Sequence, residues 1–111
     1  MNKEIGVGII GGTGFGAGEL LKLLINHPQA QVLSVVSSSA AGKEISSAHS
    51  NLKNFYTLKF DAALNVSAFS AYQKKVVSLA LPHGHAVKMA KEIIELFQND
   101  VTIIDLSGDF R

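Results

Sequence analysis

The chain of 111 residues has no cysteine, no tryptophan and only two prolines. Without cysteine there is no disulfide framework, no thiolate-ligated zinc or iron–sulfur site, and no thiol nucleophile. An excess of either charge is also missing: ten Lys and Arg stand against nine Asp and Glu, a net charge of +1. Such a balance gives no field that would gather nucleic acid or an acidic membrane surface, so neither is an expected partner. No apolar run approaches the ~20 residues that cross a bilayer. Met1-Asn2-Lys3-Glu4 leads straight into a strand pattern and not into a signal-peptide core, which makes the cytoplasm the expected location. Aliphatic residues are plentiful instead. The chain is 47% apolar and 17% charged, which excludes disorder and fits one globular domain over residues 1–111.

Short apolar runs alternate with helical patterns. Ile5-Gly6-Val7-Gly8-Ile9-Ile10 reads as a strand buried on both faces. Between Ala17 and Asn26 the period changes to that of a helix, with Ala17, Leu20, Leu21, Leu24 and Ile25 on one side and Glu19, Lys22 and Asn26 opposite. His27-Pro28 ends it, because the residue before proline avoids helical dihedrals. Strands are predicted at Val32–Val36, Val76–Leu81 and Val101–Leu106, and a helix at Ala86–Phe97. Residues 37–75 are rich in Ser, Ala and Asn, and only Leu58-Lys59-Phe60 suggests a short fifth strand. Strand–helix–strand alternation implies an α/β fold, a Rossmann-like doubly wound parallel sheet with helices on both faces.

The segment Gly11-Gly12-Thr13-Gly14-Phe15-Gly16-Ala17-Gly18 joins the first strand to the first helix. A dinucleotide pyrophosphate binds at such a helix start, where free N–H groups and the helix dipole favour an anion. The backbone must approach the phosphates closely, which favours residues without a Cβ. Gly6-Val7-Gly8-Ile9-Ile10-Gly11 matches G-x-G-x-x-G letter for letter but lies inside the strand, so it is a decoy. Gly12-Thr13-Gly14-Phe15-Gly16-Ala17 matches G-x-G-x-x-A at the turn, and Gly11 to Gly14 forms an overlapping G-x-x-G. The alternative is a glycine-rich turn that only lets the strand and helix pack closely. A Walker A loop is excluded, since no Gly-Lys-Ser/Thr follows at the required spacing.

Domains that bind NAD place Asp or Glu about 20 residues past the loop, against the ribose 2′-hydroxyl. Here Ser37-Ser38-Ser39 hold that place, with Lys43 further on. Serines and a lysine accept a 2′-phosphate that a carboxylate would repel, so the expected cofactor is NADP.

The chain resembles the N-acetyl-gamma-glutamyl-phosphate reductase family. The likeness rests on Gly11-Gly12-Thr13-Gly14-Phe15 with Glu19-Leu20-Leu21, then His27-Pro28, Ala41-Gly42-Lys43, Ala80-Leu81-Pro82-His83-Gly84, and Asp105-Leu106-Ser107-Gly108-Asp109-Phe110-Arg111. It covers the whole chain, more weakly at 53–75, and the last two segments are its most specific part. The resemblance implies NADPH-dependent reduction of an acyl phosphate to an aldehyde, through a cysteine thioester, in arginine biosynthesis. It implies a separate catalytic domain that holds the cysteine and an acid/base histidine, and a homo-oligomer when full length. Gly11, Thr13, Gly14, Phe15, Gly16 and Ala17 would line the pyrophosphate, Ser37, Ser38 and Ser39 the adenosine end, and Leu81, Pro82 and His83 the rest of the cofactor. Ser107 and Arg111 would approach the acyl-phosphate substrate. No residue of this chain is expected to be catalytic. The sequence departs from the family at Ala17, commonly glycine there, at Ser38, often basic, and at His49-Ser50, where the family tends to have His-Pro. On this reading the chain is a truncated fragment, the absent thiol lies in a missing catalytic domain, and these residues alone bind NADPH weakly or not at all and do not reduce substrate.

Other residues read more plainly. His83 and His85 lack a third metal ligand, so no metal is expected. His27 is expected to close the first helix with its partial positive charge. Tyr72 and Lys75 are one residue too close for the Tyr–Lys pair of short-chain dehydrogenases. Asp109 and Arg111 read as an ion pair. Three alternatives stay open: the cofactor domain of an extended short-chain dehydrogenase, that of an aspartate-semialdehyde dehydrogenase, and a nucleotide-sensing module without catalysis.

Overall fold

A computed structural model describes residues 4–81 and 84–106. Strand β1 (Ile5–Ile10) leads into helix α1 (Phe15–Leu24), strand β2 (Ala30–Val36), three short 3-10 turns at Ile45–Ser47, Ser50–Leu52 and Val66–Phe69, strand β3 (Lys74–Leu79), helix α2 (Ala86–Leu96) and strand β4 (Thr102–Asp105). The four strands pair in parallel in the order β2-β1-β3-β4. The chain therefore winds outward from β1 to β2, then crosses back over β1 to build the other half. In open α/β sheets such a reversal leaves a crevice at the carboxyl ends of the strands.

Two cores lie on the two faces. Val7 and Ile9 of β1 pack with Ala17 and Leu21 of α1, Val32 and Val35 of β2, and Ile45, Leu52 and Phe60 of the crossover. Ile10 joins Val77 and Leu79 of β3, Ala86, Ala90 and Ile93 of α2, and Phe69 and Phe97, whose rings meet edge to face at 5.2 Å. This is the expected doubly wound arrangement. The face of β1 that carries Gly6 and Gly8 explains the in-strand G-x-G-x-x-G. A Cβ on Gly6 would lie 2.7 Å from Leu33 and 3.2 Å from Tyr72, and one on Gly8 2.8 Å from Leu64. Those glycines admit the segment around the third 3-10 turn.

Strand β2 contains a bulge. Val7 pairs with Val32 but Gly8 pairs with Ser34, which leaves Leu33 unmatched. The extra residue resets the alternation, so Val32 and Val35 both reach the α1 face while Leu33 and Val36 reach the other. Ser34 is buried at the bulge. Its hydroxyl donates to Asp61 Oδ2 at 2.6 Å and accepts the Asn65 N–H at 3.1 Å, which fastens the crossover to the sheet.

Several boundaries move. Helix α1 starts at Phe15, two residues before the expected Ala17, because Gly14 takes the extended cap conformation. Strands β2 and β3 start at Ala30 and Lys74, two residues early in each case. The expected fifth strand at Leu58–Phe60 is not formed. That segment makes only single bridges, Lys59 with Glu44 and Asp61 with Val36, because it is wedged between a loop and the end of β2 with Phe60 pointing into the core.

Candidate functional site

The glycine loop folds over the carboxyl end of β1. Gly11 turns the chain at φ +87°, and a Cβ there would stand 2.4 Å from the Ala80 carbonyl oxygen. The N–H groups of Gly11 and Gly12 both donate to the Val36 carbonyl, at 3.0 and 2.8 Å, and the Ala80 N–H donates to Ile10 at 2.8 Å. The loop is thus tied to the ends of both neighbouring strands. A Cβ on Gly12 would lie 2.5 Å from Val35 and 2.8 Å from the Phe60 ring. The fold itself requires glycine at 11 and 12. It does not require glycine at 14, where the nearest atom to a Cβ is 3.7 Å away, or at 16, where none lies within 4 Å. Gly14 caps α1 and Gly16 lies in its first turn, and both face open space.

That first turn has no cap. Gly14 offers no side chain, and no acidic residue occupies the turn. Among the described residues, the N–H groups of Thr13, Phe15, Gly16 and Ala17 have no acceptor. Thr13 and Phe15 are exposed, and Ala17 faces the core while its N–H remains at the helix start. Unpaired donors and the positive end of the helix dipole make this a receptive place for an anion.

The sequence marks His49 only through the departure at His49-Ser50 and gives it no role. It is 9% exposed, and its Nε2 lies 2.6 Å from the Gly12 carbonyl oxygen. Its ring fills the space beside Gly18, where a Cβ would stand 2.7 Å from Nδ1. A glycine inside a helix, with no turn to make, was the available signal that something packs there.

The exit of β2 is more committed than three serines suggest. Ser37 is buried, its N–H donates to Asp61 at 3.0 Å, and its hydroxyl accepts the Ala40 N–H at 3.2 Å and lies 3.3 Å from the Ser39 hydroxyl. Ser38, Ser39 and Lys43 are exposed. Leu81 is half-buried where β3 leaves the sheet, and the exposed His85 precedes α2. The Leu106 N–H donates to Leu79 at 2.8 Å, so β4 ends on the same side of the sheet. Pro82 and His83, and Ser107, Asp109 and Arg111, lie outside the described residues.

Two minor readings change or sharpen. His27 does not offer positive charge to the end of α1. Its Nδ1 accepts the N–H groups of Gln29 and Ala30 at 3.0 and 3.1 Å, so that nitrogen is unprotonated and the ring shapes the turn into β2. Lys75 pairs with Asp100 at 2.7 Å at the amino end of β3, opposite the glycine loop, and Tyr72 packs over Gly6. Among the described residues no group of three or more His, Cys, Asp or Glu is placed to hold a metal ion. Among them, too, no helix is long and apolar enough to cross a membrane.

A family model described as the semialdehyde dehydrogenase NAD binding domain matches residues 6–111. The N-acetyl-gamma-glutamyl-phosphate reductase of Methanothrix thermoacetophila is 41% identical over 107 residues, 96% of this chain and 30% of the relative. That of Marinobacter nauticus is 40% identical over 110 residues, 96% of this chain and 29% of the relative. A LysW-L-2-aminoadipate/LysW-L-glutamate phosphate reductase of Saccharolobus solfataricus is 36% identical over 112 residues, 100% of this chain and 30% of the relative. The chain spans about 30% of the length of these curated relatives.

Proposed function

This chain belongs to the semialdehyde dehydrogenase family, as its NAD-binding domain, and on that premise we propose that it is the cofactor-binding part of an NADPH-dependent reductase that turns an acyl phosphate into an aldehyde. The observation that carries the proposal is the run of unpaired N–H groups at Thr13, Phe15, Gly16 and Ala17, beside glycines at 14 and 16 that the fold does not require. Space and donors at one helix start fit a pyrophosphate.

Thr13, Gly14, Phe15, Gly16 and Ala17 would hold the pyrophosphate, with Gly11 making the turn that presents them. Ser38, Ser39 and Lys43 would meet the 2′-phosphate, and Ser37 would shape their loop from within. Leu81, Pro82 and His83 would flank the nicotinamide, and Ser107 and Arg111 the acyl phosphate. When bound, the nicotinamide supplies hydride. This chain's own residues bind and orient. The thiol that would carry the acyl group as a thioester is not supplied by these residues, which include no cysteine. The relatives named above are all called phosphate reductases, which supports an acyl phosphate as the substrate class. The arginine pathway, a cytoplasmic location and a homo-oligomeric whole protein belong to the same proposal.

The test is to express the gene that encodes this chain and to follow phosphate-dependent aldehyde oxidation by its product. Turnover of N-acetylglutamate semialdehyde with NADP⁺, at least about tenfold faster than with NAD⁺ or with aspartate semialdehyde, is the expected result. Preference for aspartate semialdehyde would move the chain to the neighbouring dehydrogenase. Nucleotide binding with no turnover on either aldehyde would favour the sensing module.

A further inference from the structure

We infer that His49 is a positioning residue, which aims the Thr13 N–H into the anion site at the start of α1; the inference rests on the cofactor reading above. A carbonyl oxygen can only accept, so at 2.6 Å from the Gly12 oxygen the His49 Nε2 carries a proton. The peptide between Gly12 and Thr13 is trans, and a trans peptide points its C=O and its N–H in opposite directions. With the Gly12 oxygen held inward against a buried ring, the Thr13 N–H faces the exposed side of the loop, where no described group accepts it.

The anchor matters because of where it acts. Gly11 and Gly12 spend their N–H groups on Val36, so Thr13 is the first loop residue with a donor left over. The peptide that carries this donor follows a glycine, and a glycine offers little resistance to its turning over. The turned-over state would present the Gly12 oxygen to the phosphates and repel them. His49 suppresses that state by bonding the oxygen, and Gly18 admits the ring that does so, since a Cβ there would stand 2.7 Å from Nδ1. The same packing places the ring 6.5 Å from the Phe60 ring, which also lines Gly12.

The test is an NMR titration of the isotope-labelled chain with NADP⁺ into the millimolar range, on the native sequence, His49→Phe and His49→Gln. In the native chain the Thr13 amide resonance is expected to shift together with those of Phe15, Gly16 and Ala17. His49→Phe keeps a ring and loses the donor. It should weaken binding about tenfold and abolish the Thr13 shift selectively, in line with the loss of one hydrogen bond to a charged group. His49→Gln donates from a similar reach and should restore both. Undiminished affinity and an unchanged Thr13 shift in His49→Phe would overturn the inference and leave the cofactor reading intact. No loop shift in the native chain would overturn both. A further readout needs no variant: the imidazole nitrogen spectrum of the native chain should show His49 protonated at Nε2 and bare at Nδ1, and the opposite tautomer would overturn the inference.

Discussion

Gly18 and His49 compete for one space. A Cβ on Gly18 would lie 2.7 Å from His49 Nδ1, while Nε2 of the same ring donates to the Gly12 carbonyl at 2.6 Å. Gly18→Ala is therefore expected to destabilise the native chain by about 1–3 kcal/mol through overpacking. In a His49→Ala background the obstacle is gone, and the same substitution should stabilise by about 0.5–1 kcal/mol because a helix interior prefers alanine. Urea unfolding of the four proteins checks the change of sign. Equal effects in both backgrounds would mean that the ring is not seated against Gly18.

Two loop glycines should respond in opposite directions. Gly11→Ala forces a side chain into a left-handed conformation and against the Ala80 carbonyl. It should cost at least about 2 kcal/mol. Gly16→Ala meets nothing within 4 Å in the first turn of α1. It should stabilise by up to about 1 kcal/mol. Thermal melts of both variants decide the matter.

Ser34→Ala removes the hydroxyl that joins Asp61 to Asn65 across the β2 bulge. It leaves a carboxylate and an N–H without their shared partner, at an expected cost of about 1–3 kcal/mol. Hydrogen exchange should show the loss at residues 61–69, with β3 and α2 less affected.

Tyr56 links the crossover to α1, its hydroxyl donating to the Leu21 carbonyl at 2.6 Å. Burial pushes its pKa from 10.0 up to about 12. Between those values the unfolded chain has already lost the proton that the folded chain keeps, so stability falls as pH rises through this window. Tyr56→Phe should cost about 1 kcal/mol near neutral pH. The gap between the two proteins should narrow as pH climbs above 10. Paired denaturation curves at neutral and alkaline pH measure it.

The strands and helices were legible because each leaves a period in the sequence: β1 as an apolar run, α1 and α2 as one-sided helical stripes, β3 as a run ended by Pro82. The crossover between β2 and β3 was not. It is held by contacts between residues distant in sequence, such as Tyr56 to Leu21, Ser34 to Asp61 and His49 to Gly12. Single side-chain bonds of this kind have no period. The glycine loop could be located from its flanking elements, but its letters could not say which glycines the fold needs. Gly11 and Gly12 meet backbone and core atoms, whereas Gly14 and Gly16 face open space. Nor could three consecutive serines show that Ser37 is already bonded within the chain while Ser38 and Ser39 stay exposed.

The central claim is that the first turn of α1 receives the pyrophosphate of NADP. Its most direct test is an amide-resolved titration of the native chain with NADP⁺ and, separately, NAD⁺. The account predicts shifts at residues 11–17, 37–43 and 81–83, in the millimolar range, with NADP⁺ the tighter ligand. Shifts that leave residues 13–17 untouched, or that gather at the amino ends of the strands around Lys75, would contradict it.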